Sequence, residues 1–318
     1  MPKVSVILPN YNHGVYLQER IDSILNQTFQ DFELIILDDV STDNSRDIIE
    51  KYKGNSRISN IIYNEKNSGS TFRQWDKGVS LSKGEYIWFA ESDDWCDPNL
   101  LKYLVQGIES DPDCTISYCQ SYCVDGDNKI RFTSHHTYLS EIKEGATFIR
   151  DFMIDQVSIF NASMALWRKS YYKDLSKHFM DFKMCGDWLF WVQLAAMGKV
   201  HISGRVLNYF RKHANDVSGN MYRSGKSIVE QIRALHIMMG EDYISQKVYF
   251  KTLRRFIRSF YRANSNFSEE VENDFEIEVQ QVSCESYQKL LLRFYQIKCK
   301  YRYQLKHLLN PVNLNFFL

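Results

Sequence analysis

The sequence has no surplus of either charge: 39 Lys and Arg stand against 39 Asp and Glu, for a formal net charge of zero. Dedicated nucleic-acid binders gather a basic excess against phosphate, so no nucleic-acid partner is expected. Nor is there a window of about 18 uninterrupted apolar residues, the length a membrane-spanning helix needs. The run Val4-Ser5-Val6-Ile7-Leu8 after Met1-Pro2-Lys3 is much shorter than a secretory signal core. A soluble, cytoplasmic protein is expected. The seven cysteines are odd in number and form no regular framework, which suits a reducing compartment. Cys114, Cys119 and Cys123 lie close together, but no second His or Cys pair follows at zinc-site spacing. They read as buried strand thiols. Internal repeats and low-complexity linkers are absent. No Gly-x-Gly-x-x-Gly turn follows the first apolar run, which sets aside a nicotinamide dehydrogenase.

What is present is an ordinary globular composition, 44% hydrophobic and 25% charged over 318 residues, enough for one catalytic domain and an extension. Aromatics make up 14%, most of them expected as core filler. The first half alternates strand and helix signals. Residues 4–8, 34–37, 58–63 and 86–90 read as strands, with helical spacing at 17–25, around 48–49, over 70–81 and up to 108. Such alternation predicts βαβ units and a mostly parallel central sheet flanked by helices. Ligands of such sheets sit beyond the carboxyl ends of the strands.

Three polar clusters emerge at those ends: Pro9-Asn10-Tyr11-Asn12, Asp38-Asp39, and Glu91-Ser92-Asp93-Asp94. An aromatic ring there can stack on a base, and a carboxylate can accept an imide N–H. Crowded carboxylates repel one another unless a hard divalent cation neutralises them. Mn²⁺ and Mg²⁺ take one or two carboxylates together with substrate phosphates. Each cluster alone is equally well explained as a turn and helix cap. Their common phase with the strands is what makes a site.

The segments VSVILPNYN, ILNQTFQDFELIILDD, VSTDNS, Asn67-Ser68-Gly69-Ser70 and KGEYIWFAESDD resemble, in this order, the family 2 inverting glycosyltransferases of GT-A fold. The resemblance extends to about Ser218. It implies a nucleotide-sugar donor, probed at the base by Tyr11 and Asp39, with Pro9 lending backbone near the nucleoside. Glu91-Ser92-Asp93-Asp94 matches the Asp-x-Asp-type element, with Glu91 in place of the more usual Asp. On that match Asp93 faces the ribose or metal, and Asp94 holds the metal. Arg73 and Lys77 lie on the helix after Gly69, where a cation reaches the diphosphate or sugar. The family's Ala-Arg-Asn-x-Gly run is replaced here by Phe72-Arg73-Gln74-Trp75-Asp76-Lys77-Gly78. Gly186-Asp187-x-x-Phe190-Trp191 resembles the segment carrying the catalytic base, so the role falls to Asp187. A helix cap is the plain alternative for that residue. Residues 209–218 resemble the segment after the last strand, with Arg211 and His213 directed at the diphosphate or metal. Asn161, Ser163 and Arg168 read as scaffold.

The expected division is a catalytic domain over residues 1–220 and a helical extension over 221–318. The extension carries Lys247, Lys251, Arg254, Arg255, Arg258 and Arg262, then an acidic stretch at 269–278, then a basic aromatic tail at 287–306. Clustered cations and aromatics suit peripheral contact with an anionic membrane, and solvated helix charges are the alternative. The expected activity is transfer of a sugar, from a donor of the uridine type, to a hydroxyl of a saccharide or lipid-linked saccharide. The reading from another class is a non-catalytic sugar-nucleotide-binding protein of the same fold.

Overall fold

The computed structural model describes residues 1–213, 217–263, 267–281 and 292–301. The chain forms two compact units, Met1–Ala214 and Asn215–Leu318. In the first unit the order is β1 (Val4–Asn10), α1 (Gly14–Leu25), β2 (Phe32–Asp38), α2 (Ser45–Lys51), β3 (Ile58–Tyr63), α3 (Thr71–Leu81) and β4 (Tyr86–Phe89). There follow β5 (Trp95–Cys96), α4 (Leu100–Glu109), β6 (Cys114–Val124), β7 (Ile130–Thr133), β8 (Ser140–Glu144) and α5 (Gly145–Phe148). The unit closes with β9 (Ala165–Arg168), α6 (Gly186–Ala196) and β10 (Lys199–Arg211).

One sheet runs β3-β2-β1-β4-β9-β6-β10-β5, with β7 and β8 as side branches. Strands β3, β2, β1 and β4 are parallel, in the register Val4 opposite Phe32 and Val4 opposite Tyr86. Every residue of β1 and β2 is buried, as both-face helix cover requires. Beyond β4 the sheet becomes mixed: β9 is antiparallel to both β4 and β6. The parallel expectation therefore describes the first four strands and the β6–β10 pair. Between β6 and β9 the chain passes through β7, β8 and the four-residue α5 with no full helical crossover, and β9 enters antiparallel.

The chain leaves β1 toward β2 on one side, and β4 lies on the other. The carboxyl ends of β1 and β4 thus flank a topological switch point, the crevice where such sheets bind ligands. Helix α3 fits closely over this region because Gly78 has no side chain: a Cβ there would lie 2.3 Å from Ile7 Cγ2. Trp75 of α3 stacks on Phe89 at 4.1 Å, and Phe190 of α6 lies 5.6 Å from Trp75. These aromatics are core, as expected. Cys114, Cys119 and Cys123 are buried in β6.

In the second unit, a short α7 (Val217–Ser224) is followed by α8 (Lys226–Gly240) and α9 (Gln246–Ala263). The chain turns between them with Asp242 at φ 59°. Helix α10 (Glu269–Gln280) packs on this pair through Phe275, stacked 3.6 Å from Phe260. Residues 292–301 are helical. Lys289, Arg302, Tyr303 and Lys306 of the expected tail lie outside the described residues. No helix among the described residues is long and apolar enough to cross a membrane.

Candidate active site

At the end of β1 the chain bends sharply, with Asn12 at φ 56°. Asn12 N–H donates to Ser41 Oγ at 2.9 Å, and its side-chain oxygen accepts from Thr42 N at 2.7 Å. Gly14 N–H donates to Asp43 Oδ2 at 2.7 Å. The loops after β1 and β2 are thereby one piece. Tyr11 rides on it, half exposed, while Pro9 is buried in the strand. Asp39 N–H donates to Asn10 O at 2.9 Å, which places Asp39 beside that loop.

Asp39 is buried and its carboxylate is heavily engaged. It accepts from Asn64 Nδ2 (2.6 Å), Ser68 N (2.9 Å), Ser68 Oγ (2.7 Å) and Gln74 Nε2 (3.1 Å). It therefore organises the 64–74 loop, a structural duty in addition to the base contact implied by resemblance. Val40, next in the chain, holds φ 65°, a strained conformation for a β-branched residue. Arg73 is exposed and reaches Ser68 O at 3.3 Å. With Tyr63, Asn64, Ser68, Gln74 and Lys77 it lines a groove on the outer side of this loop.

The end of β4 carries the second cluster. Asp93 and His213 meet at 3.2 Å, and His13 joins them from the start of α1. One potential ligand atom from each of His13, Asp93 and His213 lies within 4.8 Å of the others. Burial opposes ionisation of Asp93, but the hydrogen bond from His213 and the two imidazoles outweigh it and hold the carboxyl below its usual range. Burial lowers the His13 pKa, against the opposing charge of Asp93. His13 was not singled out as a ligand from sequence; its only signal is a histidine in the loop after the first strand.

Asp94, expected as the principal ligand, is not in this group. It is 1% exposed, and its Oδ2 accepts from Ser163 Oγ (2.6 Å) and Asn161 Nδ2 (2.9 Å). Its Oδ1 accepts from Arg211 N at 3.0 Å. Both oxygens are turned into the protein, where they join β4, β10 and the 161–163 turn. Burial, then the charge of Asp93, raises its pKa. Glu91 is likewise turned away: it accepts from Trp75 Nε1 at 2.9 Å, and burial with the Asp93 charge pushes it up to about 8.

Arg211 departs from expectation in the same way. Its Nε donates to Asp93 O (2.9 Å), its Nη2 to Glu19 Oε2 (2.7 Å) and its Nη1 to Asn128. The guanidinium lies 4.5 Å from the Tyr16 ring and 4.4 Å from the Trp95 ring. Each of its three nitrogens donates within the protein and two aromatic rings lie against it, so in this arrangement it braces the strand end. Asp216, in the same sequence segment, lies outside the described residues.

Asp187 stands in the first turn of α6, half-buried, and its Oδ1 accepts from Trp188 N at 2.7 Å. This end of α6 presses on the start of α3: a Cβ on Gly186 would lie 2.6 Å from Phe72. Lys183 Nζ donates to Gly69 O at 2.9 Å, tying the preceding loop to the loop that Asp39 organises. Phe72 meets Trp75 edge-on at 5.1 Å, and Trp75 holds Glu91. The start of α6, where Asp187 stands, is thus packed through Phe72 and Trp75 toward Glu91 after β4.

Comparison with known proteins bears on the family and the fold. The profile of glycosyl transferase family 2 matches residues 5–176. Glycosyltransferase GlyG of Streptococcus pneumoniae serotype 4 is 38% identical over 120 residues, 37% of this chain and 40% of GlyG. The poly(ribitol-phosphate) beta-N-acetylglucosaminyltransferase TarP of Staphylococcus aureus is 34% identical over 186 residues, 56% of this chain and 54% of TarP. The matches to these two relatives span only about half of their length. Among solved structures, S. aureus TarS 1–349 in complex with UDP-GlcNAc superposes with a TM-score of 0.70 at 20% identity, covering 95% of this chain and 89% of that one. The mannosyltransferase PcManGT of Pyrobaculum calidifontis, in complex with GDP-Man and Mn²⁺, gives 0.52 at 13% identity, covering 95% and 87%. The GT-A-type fold is the one these likenesses share. With the family profile matching more than half of the sequence, the chain belongs to glycosyl transferase family 2.

Proposed function

We propose that the chain is an inverting glycosyltransferase. It moves a sugar from a nucleotide-sugar donor of the uridine type to a hydroxyl of a saccharide or lipid-linked saccharide in cell-surface polymer synthesis. The observation that carries this reading is the meeting of Asp93 and His213 beside the switch point between β1 and β4. TarP, an N-acetylglucosaminyltransferase, and TarS, seen with UDP-GlcNAc, favour an N-acetylhexosaminyl or hexosyl donor.

Tyr11 packs on the base, Pro9 supplies backbone beside the nucleoside, and Asp39 accepts from the base edge. Arg73 draws the diphosphate toward the groove. Asp93 and His213 hold Mn²⁺ or Mg²⁺; a carboxylate and an imidazole suit a divalent ion, and the Mn²⁺ complex of PcManGT favours the former. When bound, the ion neutralises charge on the leaving diphosphate. Asp187 takes the proton from the acceptor hydroxyl as that oxygen bonds to the anomeric carbon and the bond from this carbon to the phosphate oxygen breaks. The nucleoside diphosphate leaves on the opposite face, so configuration inverts.

The catalytic domain corresponds to the unit Met1–Ala214 and the extension to Asn215–Leu318, six residues before the boundary at 220 that the sequence suggests and clear of α7, which that boundary would cut. In the extension, α9 exposes Lys247, Lys251, Arg254, Arg258 and Arg262, and residues 292–301 expose Phe294, Ile297 and Tyr301. This pairing of charge and apolar surface suits the cytoplasmic face of an anionic membrane. Sedimentation with anionic liposomes at low and physiological salt tests the contact, and no binding at either salt overturns it. The catalytic reading is tested by Asp187→Asn with a UDP-sugar and Mn²⁺. Turnover is expected to fall by about 100-fold or more while donor-induced thermal stabilisation persists. Normal turnover would overturn the assignment.

A further inference from the structure

We propose that His13 is a third protein ligand of the metal, held in place by Ser92, and that this second imidazole biases the ion toward Mn²⁺ over Mg²⁺. The inference rests on the reading of Asp93 and His213 as metal ligands.

Three observations carry it. First, a ring nitrogen of His13 lies within 4.8 Å of the ligand atoms of both Asp93 and His213, and the two imidazoles meet edge to face at 5.5 Å. Second, His13 Nδ1 lies 2.8 Å from the hydroxyl of Ser92, itself 2% exposed. That contact leaves Nε2 for an ion and sets the plane of the ring, the arrangement that metal-binding histidines generally use. Third, the plain alternative for a polar residue at this position is a helix cap. His13 does occupy the N-terminal capping position of α1, but its side chain makes no capping hydrogen bond.

The loop bearing His13 is also well anchored. Asn12 is bonded to Ser41 and Thr42, and Gly14 to Asp43, on either side of the ring. A ligand delivered from this loop couples the ion to the segment that carries Tyr11. The serine of the acidic cluster acquires a role as well: Ser92 is a positioning residue, acting through His13.

The consequence for ion choice follows from ligand type. Mg²⁺ favours carboxylate, phosphate and water oxygens and accepts imidazole poorly. Mn²⁺ accepts both, so each nitrogen that replaces an oxygen shifts preference toward it. An Asp93–His213 pair discriminates weakly; two imidazoles and one carboxylate discriminate more.

The test uses the full chain with UDP and Mn²⁺. Pulsed electron paramagnetic resonance of bound Mn²⁺ should show two imidazole nitrogen couplings in the wild type and one in His13→Gln. In competition, the Mg²⁺ concentration that displaces Mn²⁺ should fall by about tenfold in His13→Gln, and Ser92→Ala should weaken Mn²⁺ binding by about tenfold. A single nitrogen coupling in the wild type overturns the inference without need of a folded variant. So does an unchanged Mg²⁺ competition in His13→Gln. If His213→Gln alone abolishes Mn²⁺ binding, the metal reading stands and the role of His13 falls. If the wild type binds no Mn²⁺ even with UDP, both fall.

Discussion

His213 places its Nε2 3.2 Å from Asp93 Oδ2, across 120 residues of sequence, while the neighbouring Asp94 turns away and takes the hydroxyl of Ser163 at 2.6 Å. Adjacent carboxylates thus serve opposite purposes. Asp93→Asn should keep the melting temperature within a few degrees and abolish metal-dependent transfer. Asp94→Ala leaves Asn161 Nδ2, Ser163 Oγ and Arg211 N without their acceptor. It should cost about 2–4 kcal/mol of stability. Calorimetry and Mn²⁺ titration on the two variants separate the roles. A stable Asp94→Ala that has lost only Mn²⁺ would return the ligand role to Asp94.

Arg211 makes a comparable prediction. Lysine keeps its charge but cannot supply three directed donors between two aromatic faces. Arg211→Lys should lose about 2 kcal/mol in denaturant unfolding, with UDP affinity of the folded protein unchanged. A variant of normal stability with weakened UDP binding would instead support a direct diphosphate contact.

For Asp39, an amide cannot accept from Asn64, Ser68 and Gln74 together. Asp39→Asn should release the 64–70 loop at a cost of about 1–3 kcal/mol. Faster amide exchange at Ser68 and Gly69 is expected, together with weaker binding of both UDP and UDP-sugar. Unaltered exchange with lost UDP affinity would mean that Asp39 acts only on the base.

His201 offers a test by pH. It is buried, lies 2.8 Å from Ser117 Oγ and 3.0 Å from Ser140 Oγ, and fits because Gly107 has no side chain to meet it. Burial lowers its pKa to about 4, so the folded state holds it neutral while the unfolded chain protonates near its ordinary value. The unfolded state therefore binds more protons across that interval. Stability from this group is intact above about pH 6.5 and declines as pH falls toward 4, by up to about 3 kcal/mol. His201→Gln should flatten that part of the stability–pH curve. An identical slope in the variant would assign the acid sensitivity elsewhere.

The N-terminal strands and helices were legible because their signals are local. A buried β-branched run such as residues 4–8 or a Leu17-Ile21-Ile24 stripe depends on neighbours in the chain, and β1, α1, β3 and α3 lie where these patterns put them. The tail of the sheet was less legible. The segment after β6 has no regular helical crossover, and the antiparallel placement of β9 between β4 and β6 follows from pairing across distant residues. In the helical extension, the turn at Asp242 separates α8 from α9.

By itself, then, the sequence determined which polar clusters stand at the strand ends and which family they resemble, because alternation and motif order are written along the chain. Only the tertiary structure decided which atoms face the crevice. Whether Asp93 or Asp94 points outward depends on Ser163 and Asn161, 69 and 67 residues from Asp94. Whether Arg211 is offered to a ligand depends on Tyr16, Trp95 and Glu19 closing around it. And His13, plain in sequence, becomes a candidate ligand only where folding sets it beside Asp93 and His213, because a binding site is defined by distances that chain spacing does not encode.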